Sequence, residues 1–222
     1  MKTEKPAIIL YFTACVLAVI ATVIHSENLL IFSKPIVIPA ILFYYLSVKT
    51  TKFNMWYGVF LLLTFIGDTI VLLELENETI YIMVPYILSY GILLRFIISD
   101  IKALRFSRSG LAVGLFVFGL IVGAAFTLIS FFDEKHRILE IPVIIYGFIL
   151  ALQAGLSAYH IHVSNSNMSF YMAMTALFNC VSDIFYVVFF LIAPSPEFLP
   201  IDIALQIFSY YFVIKYFIYR KN

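Results

Sequence analysis

The sequence predicts an all-α, polytopic membrane protein that forms one domain of eight transmembrane helices over residues 1–222. Hydrophobic residues make up 63% of the chain and the mean hydropathy is +1.03. Only 12% of the residues are charged, compared with roughly 25% in a soluble domain. The apolar segments are also about as long as a bilayer-spanning helix, roughly 20 residues, and they lack the two-residue alternation of a membrane β-barrel.

Short polar breaks separate the apolar segments, and no break is long enough to form a soluble domain. The first segment follows Lys2 and Lys5 and has the length of a full span, so we interpret it as an uncleaved helix rather than a signal peptide. The predicted helices cover residues 6–24, 29–47, 54–74, 80–99, 110–132, 138–160, 168–192 and 200–219.

The basic residues of the loops predict the orientation of the helices, because cytoplasmic loops of membrane proteins are enriched in Lys and Arg. One side would carry Lys2, Lys5, Lys49, Lys52, Lys102, Arg105, Arg108, Arg220 and Lys221. The other side would carry only Lys135 and Arg137, together with Glu74, Glu76, Glu78, Asp133, Glu134, Glu197 and Asp202. We therefore expect both termini to be cytoplasmic.

The two halves of the sequence repeat the same pattern. Helix 4 contains Ile87-Leu-Ser-Tyr-Gly-Ile-Leu-Leu-Arg-Phe-Ile97, and helix 8 contains Ile207-Phe-Ser-Tyr-Tyr-Phe-Val-Ile-Lys-Tyr-Phe217. Helices 3 and 7 each carry a small residue directly before an aspartate, Asp68 and Asp183. Helices four apart cross the membrane in the same direction, so we expect two parallel four-helix halves related by an axis along the membrane normal. Chance similarity between aromatic-rich helices is the alternative.

Asp68 and Asp183 are carboxylates within apolar spans. Such a residue costs about 2.5–3.5 kcal/mol even on lenient insertion scales, so it usually faces a protein interior or a water-filled cavity. Counting about 1.5 Å per residue along each helix places both aspartates, and Lys34, in the outer half of the bilayer. Two carboxylates in one low-dielectric cavity favour one protonated and one ionised group. This arrangement suits hydrolysis through an oxocarbenium-like species.

Two alternative roles for these acids stay open. They would relay protons in a small proton-coupled transporter, or they would only hydrogen-bond neighbouring helices in an inactive structural membrane protein. The chain has no G-x-S-x-G, H-E-x-x-H, phosphate-binding loop or dinucleotide fingerprint. No basic block indicates a nucleic acid, and Cys15 and Cys180 lie in apolar runs rather than in a metal-binding pattern.

Four dipeptides, in order along essentially the whole chain, resemble the YhhN-like family of eight-span membrane proteins, which includes the lysoplasmalogenases. They are Lys34-Pro35, Gly67-Asp68, Ser182-Asp183 and Tyr210-Tyr211. Family members with known activity hydrolyse the vinyl-ether bond of lysoplasmalogens to a fatty aldehyde and a glycerophospho-headgroup. The resemblance implies catalytic roles for Asp68 and Asp183, a place for Lys34 in the same pocket, and no metal or organic cofactor. It also implies a lysophospholipid-type substrate, and we expect a multi-pass protein of a bacterial plasma membrane.

Helices 4 and 7 depart from the family's pattern. Tyr90 stands where the family usually has a His on helix 4, and Leu93 stands where it usually has a Tyr. Asn179 lies one turn before Asp183, at a position that is usually apolar or aromatic, and we expect it to hydrogen-bond that carboxylate. The expected substrate-binding residues are Lys34, Tyr90, Asn179, Tyr210 and Tyr211.

Overall fold

The architecture is all-helical. A computed structural model of the chain describes residues 4–49, 53–73, 78–134, 136–193 and 195–220, and these ranges contain helices, turns and no strand. Eight helices in the described ranges are long and apolar enough to cross a membrane, which is compatible with a multi-pass integral membrane protein. They are α1 (Glu4–Val23), α2 (Glu27–Val48), α3 (Met55–Leu72), α4 (Glu78–Lys102), α5 (Arg108–Ile129), α6 (Glu140–Ser164), α7 (Asn167–Val187) and α8 (Phe198–Tyr219).

The observed helices begin and end within a few residues of the predicted ones. α6 continues past the predicted end at residue 160 and stops where Asn165 adopts the left-handed conformation, with φ of 43°. The stretch predicted as the end of the seventh helix is a π-helical turn, Val188–Ile192. Polar residues extend several helices beyond their apolar runs, because a helix end at the membrane surface tolerates them.

Side-chain caps fix where several helices begin. Ser26, Asn54, Ser107 and Ser166 each precede a helix and accept a hydrogen bond from a backbone N–H of its first turn. Such caps satisfy N–H groups that have no partner within the helix. Each cap therefore marks the point where a short loop ends and the next helix begins.

Successive helices pack in pairs, α1 with α2, α3 with α4, α5 with α6 and α7 with α8. Further contacts join α4 to α6, α6 to α7, α2 to α3, and α8 to both α1 and α2. Helix α5 has little of its surface inside the bundle, and Leu115, Phe116 and Leu120 on it are exposed. The core is rich in aromatic side chains, among which Tyr11, Tyr45, Tyr57, Phe60 and Tyr216 are almost fully buried.

An ion pair holds the last turns of α4 and α8 together. The Nε atom of Arg220 lies 2.9 Å from Oδ1 of Asp100, and Tyr216 donates a hydrogen bond to the same carboxylate. Charge-assisted bonds of this kind are stronger than neutral ones. This contact closes one end of the bundle, while the polar cluster described below lies towards the other end, where α2, α4 and α8 begin.

Candidate functional site

Asp68 of α3 is the centre of a buried polar cluster. The Nζ atom of Lys34 lies 3.4 Å from its Oδ1, and the two side chains are only 4% and 5% exposed. Tyr86 donates to Oδ1 and Tyr210 donates to Oδ2, each over 2.9 Å. The structure thus brings three predicted site residues together: Lys34, Asp68 and Tyr210. A buried ammonium beside a hydrogen-bonded carboxylate is how ionic groups are tolerated within a membrane protein.

Gln206 extends this cluster along α8. Its Nε2 atom donates a 2.6 Å hydrogen bond to the hydroxyl of Tyr86, which in turn donates to Asp68. Asp202, Gln206 and Tyr210 follow one another at intervals of four residues, so they lie on one face of the helix. That face lines the polar interior of the bundle.

Asp183 of α7 has tyrosine partners of its own. Tyr90 donates a 2.8 Å hydrogen bond to Oδ2 of Asp183, and Tyr146 of α6 donates to the hydroxyl of Tyr90 over 3.3 Å. Tyr90 therefore contacts the predicted catalytic acid directly. Asn179 is buried one turn before Asp183. The hydrogen-bond partners of Asp183 among the described residues are tyrosines, Tyr90 and Tyr146, rather than Asn179.

Asp202 is a third buried carboxylate in this part of the bundle, although its position in the sequence groups it with the acidic residues of the loops that we predict to lie outside. The structure places it in the second turn of α8, only 7% exposed. The Oγ atom of Ser182 lies 2.5 Å from its Oδ1 and 3.1 Å from its backbone carbonyl oxygen. A charged residue near the end of a span resembles a loop residue in sequence. The spacing of Asp202, Gln206 and Tyr210 is the signal that could have revealed its inward position.

Two of the three acids share a chamber of about 60 Å³. Asp183 and Asp202 line it, and Lys34, Tyr86 and Tyr146 contribute further polar groups to its wall. Asp68 is not among the lining residues, because Tyr86 and Lys34 lie on the wall in front of it. A space of this size holds a few water molecules. The chamber can therefore admit water and a small reacting group next to two carboxylates.

A larger groove adjoins the chamber. It has a volume of about 380 Å³ and lies between α2, the end of α3, the π-helical turn and the start of α8. Glu27 and Lys34 are its charged lining residues, and both belong to α2. Groove and chamber share the lining residues Lys34, Val71, Phe190, Leu199 and Ile203.

An apolar slot adjoins the chamber between α5, α6 and α7. Its volume is about 40 Å³, and Asp183 and Tyr146 are polar residues on the side that it shares with the chamber. Val143 and Val187 also line both spaces. The remaining slot residues include Ile121, Ala124, Ala125, Leu128, Gly147, Leu150 and Ile184. Since α5 is largely exposed, the slot lies next to the lipid-facing surface.

Tyr211 is a predicted site residue that the structure does not bring to this cluster. Its ring packs 5.6 Å from the ring of Phe12, and the Nζ atom of Lys215 lies 5.4 Å from its centre. One residue along a helix turns the side chain by about 100°. Tyr210 therefore faces Asp68 while Tyr211 faces α1.

In the described part of the chain, no group of three or more His, Cys, Asp or Glu side chains is placed to hold a metal ion. Comparisons of the chain with models of known protein families, with curated proteins and with solved structures find no match. The interpretation of the site therefore depends on its own residues and their geometry.

Proposed function

We propose that the protein is a membrane hydrolase of the lysoplasmalogenase type, which cleaves the vinyl-ether bond of a lysoplasmalogen. The observation that carries this proposal is the chamber of carboxylates with a groove on one side and an apolar slot on the other. A lysoplasmalogen has the same order of parts: a polar headgroup, a reactive vinyl ether and one hydrocarbon chain. The resemblance to the YhhN-like family, which rests on four dipeptides, agrees with this choice.

The order of the three spaces suggests how the lipid binds. Lys34 lies where the groove meets the chamber, so its ammonium group is placed to attract the phosphate of a headgroup in the groove. The vinyl ether then lies beside Asp183, and the hydrocarbon chain enters the slot between α5, α6 and α7. The slot is smaller than a whole chain, so the rest of the chain extends into the surrounding lipid.

Asp183 is the proposed general acid. It transfers its proton to the alkene carbon that is not bonded to oxygen, the C=C electron pair forms the new C–H bond, and an oxocarbenium ion remains at the ether carbon. Water adds to that carbon, and the hemiacetal collapses to an aldehyde and a free glycerol hydroxyl. Asp68 supplies the negative charge that balances Lys34, so a cation can form in the chamber without a net excess of positive charge.

We also propose that the bundle consists of two parallel four-helix halves. Several contacts between helices have a counterpart under this repeat: α2–α3 corresponds to α6–α7, and α4–α6 corresponds to α8–α2. The pairs α1–α2 and α3–α4 likewise correspond to α5–α6 and α7–α8. The α1–α8 contact has no counterpart of similar extent between α5 and α4. With both termini in the cytoplasm of a bacterium, as the charge bias favours, the chamber lies in the outer half of the plasma membrane.

A pair of matched lipids tests the proposed reaction. Purified protein in detergent is incubated with a lysoplasmenyl-ethanolamine and with the analogue that has a saturated alkyl ether, and aldehyde release is measured by mass spectrometry. We expect aldehyde from the vinyl ether alone, because the saturated ether has no double bond to protonate. No aldehyde from the vinyl ether would contradict the proposal, and so would equal cleavage of both lipids.

A further inference from the structure

Asp202 is a buried carboxylate to which the family resemblance assigns no role. It is 7% exposed, lies within a transmembrane helix and lines the chamber together with Asp183. A carboxylate at such a position is costly and usually has a function. Ser182, the neighbour of Asp183 in sequence, forms a hydrogen bond with Asp202. Lys34, Asp68 and Asp183 are near enough to interact with Asp202 electrostatically.

Asp202 differs from Asp68 in its hydrogen bonds and in its access to the chamber. Both oxygens of Asp68 accept hydrogen bonds, and Asp68 does not line the chamber. Asp202 has its Oδ1 bonded to Ser182, while its Oδ2 accepts no hydrogen bond from the described residues. An acceptor oxygen at the wall of a water-sized chamber can bind a water molecule of that chamber.

Asp183 and Asp202 belong to different helices and line the same chamber. Asp183 comes from α7 and is held by Tyr90, whereas Asp202 comes from α8 and is held by Ser182. Ser182 directly precedes Asp183, so the hydrogen bond from Ser182 to Asp202 also fixes α7 against α8 beside the chamber. The two carboxylates are thereby oriented independently.

We propose that Asp202 is a second catalytic carboxylate, the general base that activates the attacking water. This inference rests on the proposed vinyl-ether hydrolysis. Asp183 begins protonated and Asp202 ionised. After Asp183 has protonated the alkene carbon, water forms the new C–O bond to the oxocarbenium carbon and its proton passes to Asp202.

The collapse of the hemiacetal restores both acids. Asp202 returns its proton to the glycerol oxygen as the bond between that oxygen and the former ether carbon breaks. The hemiacetal hydroxyl loses its proton to Asp183 as the aldehyde C=O forms. One vinyl ether and one water are consumed, and one aldehyde and one alcohol are produced. In this scheme Ser182 is a positioning residue for Asp202.

The test follows hydrogen exchange in D₂O with the Asp202→Asn variant. Asparagine keeps an oxygen that accepts from Ser182 but cannot accept the proton of the attacking water. We expect aldehyde release to fall by about 100-fold or more, the usual contribution of a positioned acid or base. Because water attack is slow, the cation has time to return a proton to Asp183, so deuterium should appear at the alkene carbon not bonded to oxygen in the unreacted lipid.

Three comparisons decide the outcome. Wild-type protein should leave the recovered lipid free of deuterium, and Glu197→Gln, which alters an exposed acid just before α8, should behave like wild type. Reduced activity of Asp202→Asn without deuterium in the recovered lipid would overturn the proposal and leave Asp202 a structural role. Full activity of that variant would overturn it as well.

Aldehyde release by the wild-type protein distinguishes a failure of the Asp202 proposal from a failure of the proposed function. Wild-type protein that releases no aldehyde would end both proposals, whereas active wild type with an unaffected Asp202 variant would end only this one. If Asp202→Asn does not fold, Asp202→Glu is measured in the same way, because it retains a carboxylate but displaces it by one methylene. The displaced base should again give deuterium in unreacted lipid, and its absence would contradict the inference.

Discussion

Tyr210, on the last helix, donates a 2.9 Å hydrogen bond to Asp68 on the third. Tyr90, on the fourth helix, donates a 2.8 Å hydrogen bond to Asp183 on the seventh. In the proposed repeat Tyr210 corresponds to Tyr90, and Asp68 corresponds to Asp183. Each half therefore supplies the tyrosine that binds the aspartate of the other half. This reciprocal pairing gives the two halves a common polar centre.

Tyr210→Phe should destabilise the protein, because it removes a donor from a buried carboxylate. We expect a loss of about 1.5–3 kcal/mol in the free energy of unfolding, the range for hydrogen bonds to charged groups. The neighbouring substitution Tyr211→Phe is the matched control and should change stability by less than about 0.5 kcal/mol, since Tyr211 faces α1. Denaturant unfolding in detergent micelles measures both. Equal effects of the two substitutions would contradict the site geometry.

The effects of substituting Lys34 and Asp68 on the free energy of unfolding should be strongly coupled. Lys34→Met leaves the Asp68 carboxylate without its buried ammonium partner, which costs about 3–5 kcal/mol in comparable pairs. The double variant Lys34→Met with Asp68→Asn removes both charges, so it should be more stable than Lys34→Met alone. A double-mutant cycle of unfolding free energies measures this difference. Additive losses would show that the two side chains do not depend on each other.

The apolar slot should determine which chain lengths are accepted. Val187 lines both the chamber and the slot, so Val187→Phe would narrow the passage between them. We expect the rate for a long-chain lysoplasmalogen to fall about tenfold relative to a short-chain one, a difference of about 1.4 kcal/mol in barrier height. Val113→Phe, on the exposed surface of α5, should leave this ratio unchanged. An equal loss for both chain lengths in Val187→Phe would argue against the slot.

The proposed orientation can be tested by cysteine labelling. Both native cysteines, Cys15 and Cys180, are buried, so background labelling by a membrane-impermeant maleimide should be low. Ser130→Cys, at the end of α5, should react in intact cells. Ala103→Cys, after the end of α4, should react only once the membrane has been opened. The reverse pattern would place both termini outside the cytoplasm.

The helices were predictable from sequence because their signal is composition alone. A run of about 20 apolar residues has few alternatives to a membrane-spanning helix, and the observed bounds differ from the predicted ones by only a few residues. Proximity of Lys34 to Asp68 was also expected, because both lie at a similar depth and polar groups in apolar spans must find partners. Tyr210 was expected at the site only from the family resemblance.

The remaining features depend on three-dimensional packing and were not predictable. Which tyrosine contacts which aspartate depends on how the helices face one another, and hydropathy carries no such information. Tyr211 was expected at the site because it adjoins Tyr210, yet the turn of the helix directs it to Phe12. Asp202 was counted with the loops because few apolar residues precede it in α8. The groove and the slot are formed by side chains of several helices, so neither has a local sequence pattern.

The most direct test of the central claim is aldehyde release by Asp183→Asn compared with wild type, on a lysoplasmalogen in detergent. Asparagine preserves the shape of the residue and its acceptor for Tyr90, but it removes the proposed proton donor. We expect rapid aldehyde release from wild type and a loss of about 100-fold or more in the variant, with both proteins folded. Equal release by the two proteins would contradict the claim that Asp183 protonates the vinyl ether.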